Sequence, residues 1–208
     1  MTNDVVEKIK NIKQEDYLQG RVNLHIHTTY SDGHGIFCDI AQQAENKYKL
    51  YSITDHNTVQ GHLDFPDTNA VVGVEFDVWY KYIFLHLLAY GINPEHAAMK
   101  KFYSKNKAGT EKDIVRILAK RDLKELISSI HDAGGIAVLA HPACCWALNL
   151  ETFIKDLKAL GLDGVEVYYP YPRWRKYFKF ASADRIERIA DKYSLIKTGG
   201  TDCHGVTL

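Results

Sequence analysis

Several things are scarce in this 208-residue chain, and each scarcity excludes something. No apolar run approaches the ~20 residues needed to cross a bilayer. The first twenty residues, MTNDVVEKIKNIKQEDYLQG, are charged throughout and lack the apolar stretch of a secretory signal. A cytoplasmic location is the expectation, with no membrane partner. There are only 4 cysteines (Cys38, Cys144, Cys145 and Cys203), with no CxxC spacing, so a disulfide scaffold is not expected and the thiols read as reduced. No charge of one sign prevails. Lys plus Arg is 26 and Asp plus Glu is 26, which argues against a dedicated grip on nucleic acid or an anionic surface. Internal repeats, low-complexity tracts and Pro/Ser-rich linkers are missing too, so one compact domain is expected.

What remains is a regular alternation of strand-like and helix-like segments. Val5, Val6, Ile9 and Ile12 at helical spacing predict one short amphipathic helix within residues 1–20, before a main domain over 21–208. RVNLHIHT alternates as a strand does. A helix (IFCDIAQQAENKYK) and a strand (LYSITDH) follow, and then two adjacent strands, AVVGVEFDVWY and IFLHLLAYGI, joined by a short turn near Lys81. Further on, DLKELISSIHDAGG is a helix with a Gly-Gly stop, IAVLAHP a buried strand, LETFIKDLKALG a helix, LDGVEVYYP a strand, SADRIERIADKYS a helix and LIKTGGTDCHG the last strand with its exit loop. Such βα alternation predicts a parallel sheet rolled into a barrel.

On that map the polar oddities gather. His25, His27, Asp55, His56, Glu75, His141, Glu166, Asp202 and His204 fall at or near the C-terminal ends of predicted strands, the end that carries chemistry in barrels of this kind. A core composed for stability alone would not finish its strands in histidines and carboxylates. Residues i and i+2 of a strand share a face, so His25 and His27 can reach one ion, and Asp202 and His204 repeat the arrangement. Imidazole and carboxylate donors suit Zn, Mn or Fe. Other residues stay open on this reading. His86 is a ligand or a core histidine, and Asp32 a ligand or a turn residue. Asp55 points away from the His56 face and reads as a support, whereas Glu166 is either pocket wall or support. His62, His96 and His131 fit no ligand position and read as surface or capping residues.

The ordered motifs HIHTTYSDG, SITDHNTVQG, GVEF, AHP, GVEVYY and GGTDCHG resemble those of the polymerase and histidinol phosphatase (PHP) family of metal-dependent phosphoesterases, from Asn23 to Gly205. The resemblance implies a distorted (β/α)7 barrel and three divalent ions (Zn, Mn or Fe). The first would be held by His25, His27, Glu75 and Asp202, the second by Glu75, His86 and His141, and the third by Asp32, His56 and His204. A hydroxide held between the first two ions would be the nucleophile. Glu75, Asp202 and His204 would stand closest to the reaction, and a small organic phosphate, nucleotide-like or a sugar phosphate, would be the substrate.

Two departures from the nucleotide-cleaving branch of that family bear on the substrate. The interval from Gly91 to His131 is short, so little lid is expected. Where relatives place an arginine soon after HP, this chain reads HPACCW. A replacement grip is read in VYYPYPRWRKYF, where Arg173 and Arg175 are interleaved with aromatics; the bland alternative is the start of a solvated helix. Two further functions stay in view: C–N hydrolysis of the amidohydrolase kind, which also opens with HxH but adds a bridging lysine, and a non-catalytic metal-binding PHP module.

Overall fold

Seven strands follow one another around the sheet in chain order: β1 (Val22–Asn23), β2 (Leu50–Ile53), β3 (Val71–Tyr80), β4 (Ile83–Tyr90), β5 (Ile136–Leu139), β6 (Gly164–Tyr168) and β7 (Ile196–Gly199). This is seen in a computed structural model describing residues 2–169 and 181–208. The sheet nearly closes on itself. Leu24 N donates to Gly199 O at 3.1 Å, Asp202 N to His25 O at 2.9 Å and His27 N to Cys203 O at 2.9 Å, and Ile26 bridges Cys203 in parallel. The result is the distorted seven-stranded α/β barrel expected from the sequence.

The sheet is not wholly parallel, which corrects the sequence reading. β1–β2, β2–β3, β5–β6 and β6–β7 pair in parallel, but β4 runs antiparallel to both β3 and β5. The cause is local. Only Lys81 and Tyr82 separate β3 from β4, and so short a connection permits only a hairpin. Lys81 takes φ 55° to make the turn.

The interior changes character along its height. Near the start of the parallel strands it is apolar: Val22, Leu24, Val71, Leu88, Tyr90, Ile136 and Val138 pack together. Val6 and Ile9 of α1 (Thr2–Lys10) join that cluster and close this end. The predicted single N-terminal helix is in fact two, since α2 (Gln14–Leu18) starts afresh after a break. Higher up, β3 alternates strictly. Val74, Phe76 and Val78 face outward into the larger core, whereas Glu75 and Asp77 turn inward at 1% and 0% exposure.

That larger core lies between the sheet and the helices α7 (Leu123–Asp132), α8 (Leu150–Ala159) and α9 (Ala183–Lys192). Each of these has a side-chain N-cap: Asp122 accepts from Glu125 N, Asn149 from Thr152 N and Ser182 from Arg185 N. The Gly-Gly stop of α7 is as predicted, with Gly134 at φ 85° and Gly135 N donating to Ile130 O at 3.0 Å. On the opposite flank, α3 (Phe37–Lys47) buries Phe37, Ile40, Ala41 and Ala44 against Ile26 and Ile53. Two short helices, α4 (Gln60–Asp64) and α5 (Ala108–Glu111), and a third, α6 (Asp113–Ile117), complete the described chain together with a 3-10 turn at Pro142–Cys144. Among the described residues, no helix is long and apolar enough to cross a membrane.

The short interval before α7 does more than the sequence reading allowed. Ser104 N donates to Asn57 O at 2.8 Å, Asn57 Nδ2 to Gly109 O at 2.9 Å and Lys107 Nζ to Thr29 O at 2.7 Å. These bonds lash residues 104–109 across the rim where the predicted ligands lie.

Candidate metal centre

His25 and His27 leave β1 with Ile26 between them. Ile26 packs outward beneath α3, and both imidazoles are fully buried inside the barrel. There His25 Nε2 and His27 Nε2 approach to 3.1 Å. Glu75 Oε2 lies 3.1 Å from the first and 3.2 Å from the second, and Asp202 Oδ1 lies 3.4 and 3.1 Å from them. Four lone-pair atoms thus crowd one point. A tetrahedral ion with bonds of ~2.0–2.1 Å sets its donors about 3.3 Å apart, so the spacing fits a cation of that kind.

Glu75 also serves a second group. Its Oε1 is 2.9 Å from His86 Nδ1 and 3.3 Å from His141 Nε2. Asp32 gathers a third: its Oδ1 is 3.2 Å from His204 Nε2 and its Oδ2 is 3.7 Å from His56 Nε2. His27 Nδ1 adds a contact of 3.7 Å to Asp32. All nine residues singled out from the sequence as ligands therefore meet at one rim, in three overlapping groups that could each hold a cation. His62, His96 and His131 stand outside these groups. His62 is not on the surface, however: it is buried, with Nε2 2.8 Å from Ile53 O. Cys203 turns its Sγ toward Thr207 O, away from the cluster.

Supporting residues hold the rim. Glu166 lies with Oε1 3.0 Å from His25 Nδ1, and its Oε2 accepts the His141 N–H at 2.8 Å. Asp55 accepts from Thr28 N, Thr28 Oγ1 and Ser31 Oγ at 2.7, 2.6 and 2.6 Å, which fixes the turn carrying Asp32. Tyr169 donates its hydroxyl to Asp202 Oδ2 at 2.7 Å. Asn57, His141 and Asp202 adopt φ values of 56°, 28° and 51°. Backbone strain of this kind persists where the surroundings over-determine it, and it collects at functional sites. Gly200 matters by its lack of a side chain: a Cβ there would meet His25 Cβ at 2.3 Å and His25 N at 2.5 Å.

Two residues of the rim were missed by the sequence reading. Asp77, fully buried, stands with Oδ1 3.2 Å from His86 Nε2 and 3.5 Å from His56 Nδ1, while its Oδ2 accepts from Asn57 Nδ2. The signal was present, because Glu75 and Asp77 repeat the i, i+2 spacing applied to the histidines. Arg116 of α6 reaches in, with Nη1 donating to Asp32 Oδ2 at 2.7 Å. Nothing in its local sequence marks it. Arg173 and Arg175, read as the substrate grip, lie outside the described residues.

The cluster is strongly polarised. Burial alone would push His25 down, but Glu75, Glu166 and Asp202 outweigh it and hold the imidazole well above its ordinary range. Burial likewise opposes, and neighbouring carboxylates overcome it, at His27 and His86, each raised to about 10. At His141, raised to about 9, burial is outweighed with Cys144 and Glu75 as hydrogen-bond partners. His56 goes the other way, because burial prevails there. Glu75 and Asp202 are held far below the carboxylate range despite burial, Glu75 chiefly by His25 and His56, and Asp202 by His25 and His27. Anionic carboxylates facing imidazoles that must otherwise keep protons form a donor set suited to a multivalent cation.

The comparisons with known proteins agree with this architecture. No family model matches the chain. Over 84 residues it is 33% identical to phosphoribosyl 1,2-cyclic phosphate 1,2-diphosphodiesterase of Eggerthella lenta, covering 40% of this chain and only 29% of that relative's length. It is 28% identical over 174 residues to an uncharacterized protein of Methanocaldococcus jannaschii, covering 74% of this chain and 84% of that one. Among solved structures, an amidohydrolase from Chromobacterium violaceum with bound sulfate and no metal matches at a TM-score of 0.71 and 18% identity, over 89% of this chain and 88% of that chain. A candidate metal-dependent phosphoesterase from Bifidobacterium adolescentis matches at 0.63 and 18% identity, over 88% and 87% of the two chains. A two-domain protein from Bacteroides vulgatus, containing a predicted PHP-like metal-dependent phosphoesterase, matches at 0.54 and 13% identity, over 89% of this chain and 52% of that one.

The fold is therefore a seven-stranded α/β barrel shared with PHP-like proteins, with a histidine–carboxylate cluster at its rim. The chain shares its barrel fold with these neighbours, and they support the family resemblance carried by its ordered motifs.

Proposed function

We propose that this chain is a metal-dependent phosphoesterase hydrolysing a small organic phosphate, a monoester or diester. The observation that carries the reading is Glu75, whose two oxygens face separate histidine groups, His25/His27 on one side and His86/His141 on the other. A carboxylate so placed is suited to bridge two cations. On this reading His25, His27, Glu75 and Asp202 hold one ion, Glu75, His86 and His141 a second, and Asp32, His56 and His204 a third, each Zn, Mn or Fe. Bound ions would lower the pKa of water and neutralise charge developing on a phosphoryl group.

The chain's own residues set the stage for that chemistry. Glu166 orients His25 and the His141 backbone, Tyr169 keeps one Asp202 oxygen turned toward the imidazoles, and Asp55 steadies the turn that presents Asp32. His204, at the exposed edge, and Asp202 stand where a phosphate would arrive. The named activity of the Eggerthella relative, a cyclic phosphate diesterase, and the sulfate held by the Chromobacterium neighbour both favour a tetrahedral oxyanion substrate.

The name of that Chromobacterium protein also keeps C–N hydrolysis as a second reading. Amidohydrolases of the kind considered above need a bridging lysine, and the centre of this cluster is Glu75. The deciding experiment loads purified protein with Mn, Fe or Zn and offers nucleoside monophosphates, nucleoside 3',5'-bisphosphates, sugar phosphates, an aryl phosphate and cyclic amides. Phosphate release with metal bound is expected. Amide cleavage, or no turnover of any ester by metal-replete protein, overturns the proposal.

A further inference from the structure

Beside the cluster opens a cavity of about 360 Å³ whose wall includes His86, His141 and Arg116, with Phe84, Leu85 and Ile117 supplying much of the rest. We propose that Arg116 is the anion-gripping residue of this site, taking an oxygen of the substrate's phosphate at Nη2 in exchange for Asp113 while the ester's organic group occupies the cavity. This rests on the phosphoesterase reading and deepens it.

The state of each guanidinium nitrogen supports the assignment. The side chain is only 7% exposed, so its charge must be balanced from within the protein. Nη1 is anchored on Asp32 Oδ2 at 2.7 Å, which ties it to the proposed metal cluster. Nη2 pairs with Asp113 Oδ1 at 2.7 Å, but that carboxylate is 89% exposed. An ion pair with so solvated a partner contributes little and is easily exchanged. Nε is buried with no hydrogen-bond partner, since Asp77 Oδ1 at 3.7 Å is too far for one. Native proteins keep few such orphaned donors, and each calls for an explanation.

Nε and Nη2 lie along one edge of the guanidinium. One is unsatisfied and the other is weakly held, while the opposite nitrogen is fixed. Nε is closed off beside Asp77, so Nη2 is the donor that can exchange the solvated Asp113 for a phosphate oxygen. It also offers a replacement for the arginine missing after His141-Pro142, delivered from α6. Asp77 with His56 and His86 could otherwise be taken for one more cation site. The guanidinium beside Asp77 Oδ1 opposes a cation there, and the aspartate reads instead as a counter-charge shared by Arg116 and the two histidines.

The test uses metal-loaded full chain and inorganic phosphate, whose binding is measured by calorimetry together with metal content. Arg116→Ala should weaken phosphate binding on the order of 10- to 100-fold at unchanged metal content. Arg116→Lys, which keeps the charge without the fork, should fall between. Asp113→Asn, at an exposed position, should bind phosphate more tightly because Nη2 loses its competing anion. For any ester turned over, Arg116→Ala should raise KM more than it lowers kcat. An unchanged phosphate constant in Arg116→Ala overturns the proposal, as does a loss that merely follows lost metal, which would make Arg116 a clamp on Asp32. Unchanged or weaker binding in Asp113→Asn overturns it too. Arg116-dependent phosphate binding without hydrolysis of any ester would refute the proposed function and leave the grip standing; ester hydrolysis indifferent to Arg116 would do the reverse.

Discussion

Glu166 holds His25 from behind, its Oε1 3.0 Å from the Nδ1 that faces away from the cluster, while its other oxygen accepts the backbone N–H of His141 at 2.8 Å. One buried carboxylate thereby holds the His25 imidazole and the His141 backbone, on either side of Glu75. Replacing it with glutamine keeps the shape but alters the pairing with His25 Nδ1. Carboxylates behind metal-bound histidines typically contribute 10- to 100-fold in metal affinity. Glu166→Gln is expected to lose about that much, measured by competition with a chromogenic chelator. An unaltered affinity would refute the role.

Gly200 gives a steric test of the same imidazole. A methyl group there would lie 2.3 Å from His25 Cβ and 2.5 Å from its backbone nitrogen, neither of which can swing aside. Gly200→Ala should therefore displace His25, lower the melting temperature and lose metal. Gly20, whose added Cβ would meet nothing within 4 Å, is a control for sterics, although its φ of 63° still strains an alanine. Gly20→Ala should reduce stability without loss of metal.

Removing metal should cost stability as well as activity. A ligand held at about 100 times its Kd adds about 2.7 kcal/mol to the folded state. For a domain of this size that corresponds to roughly 5–10 °C in melting temperature. Scanning calorimetry before and after exhaustive chelation measures it, and a melting curve indifferent to chelation would count against a folded-state cation site.

His131 offers a pH test far from the rim. Its Nε2 lies 2.7 Å from Asp163 Oδ2, an oxygen that also accepts from Ala137 N at 2.8 Å. The Asp163 hydrogen bond raises the His131 pKa, opposed by partial burial and assisted by Asp163 charge. A raised folded-state value means that the protonated pair stabilises the fold fully below the ordinary histidine value of ~6.5. The contribution is lost as pH rises through the raised value. His131→Ala should thus destabilise most at about pH 5.5, with the gap to wild type closing toward about pH 9 in urea titrations. A gap constant with pH would exclude the charged pair.

The barrel was legible in the sequence wherever a residue's role follows from local spacing. Alternation in VVGVEFDVWY gave β3, and His25-Ile26-His27 gave the inward pair because a strand has period two. The reversal of β4 was implicit in its two-residue connection, yet the βα rhythm elsewhere argued for a parallel sheet. Asp77 was overlooked although it stands two residues from Glu75 on the same face. Arg116 could not have been found by spacing: it arrives on a short helix that follows the segment bonded to Asn57 and Thr29, contacts remote in sequence. The break between α1 and α2 was hidden because Ile12 continues the apolar period beyond the end of the first helix.

The backward run of β4 has a consequence for how such a protein changes over time. Because that strand descends from the rim, the Lys81-Tyr82 hairpin tip stands at the same end as the cluster, and not at the plugged floor. Residues added there would extend the barrel at that end while every rung of the ladder below kept its partner, since loop closure grows only slowly in cost with length. Lengthening this tip would leave the histidine–carboxylate cluster untouched, so the outline of that end can diverge while the cluster is retained.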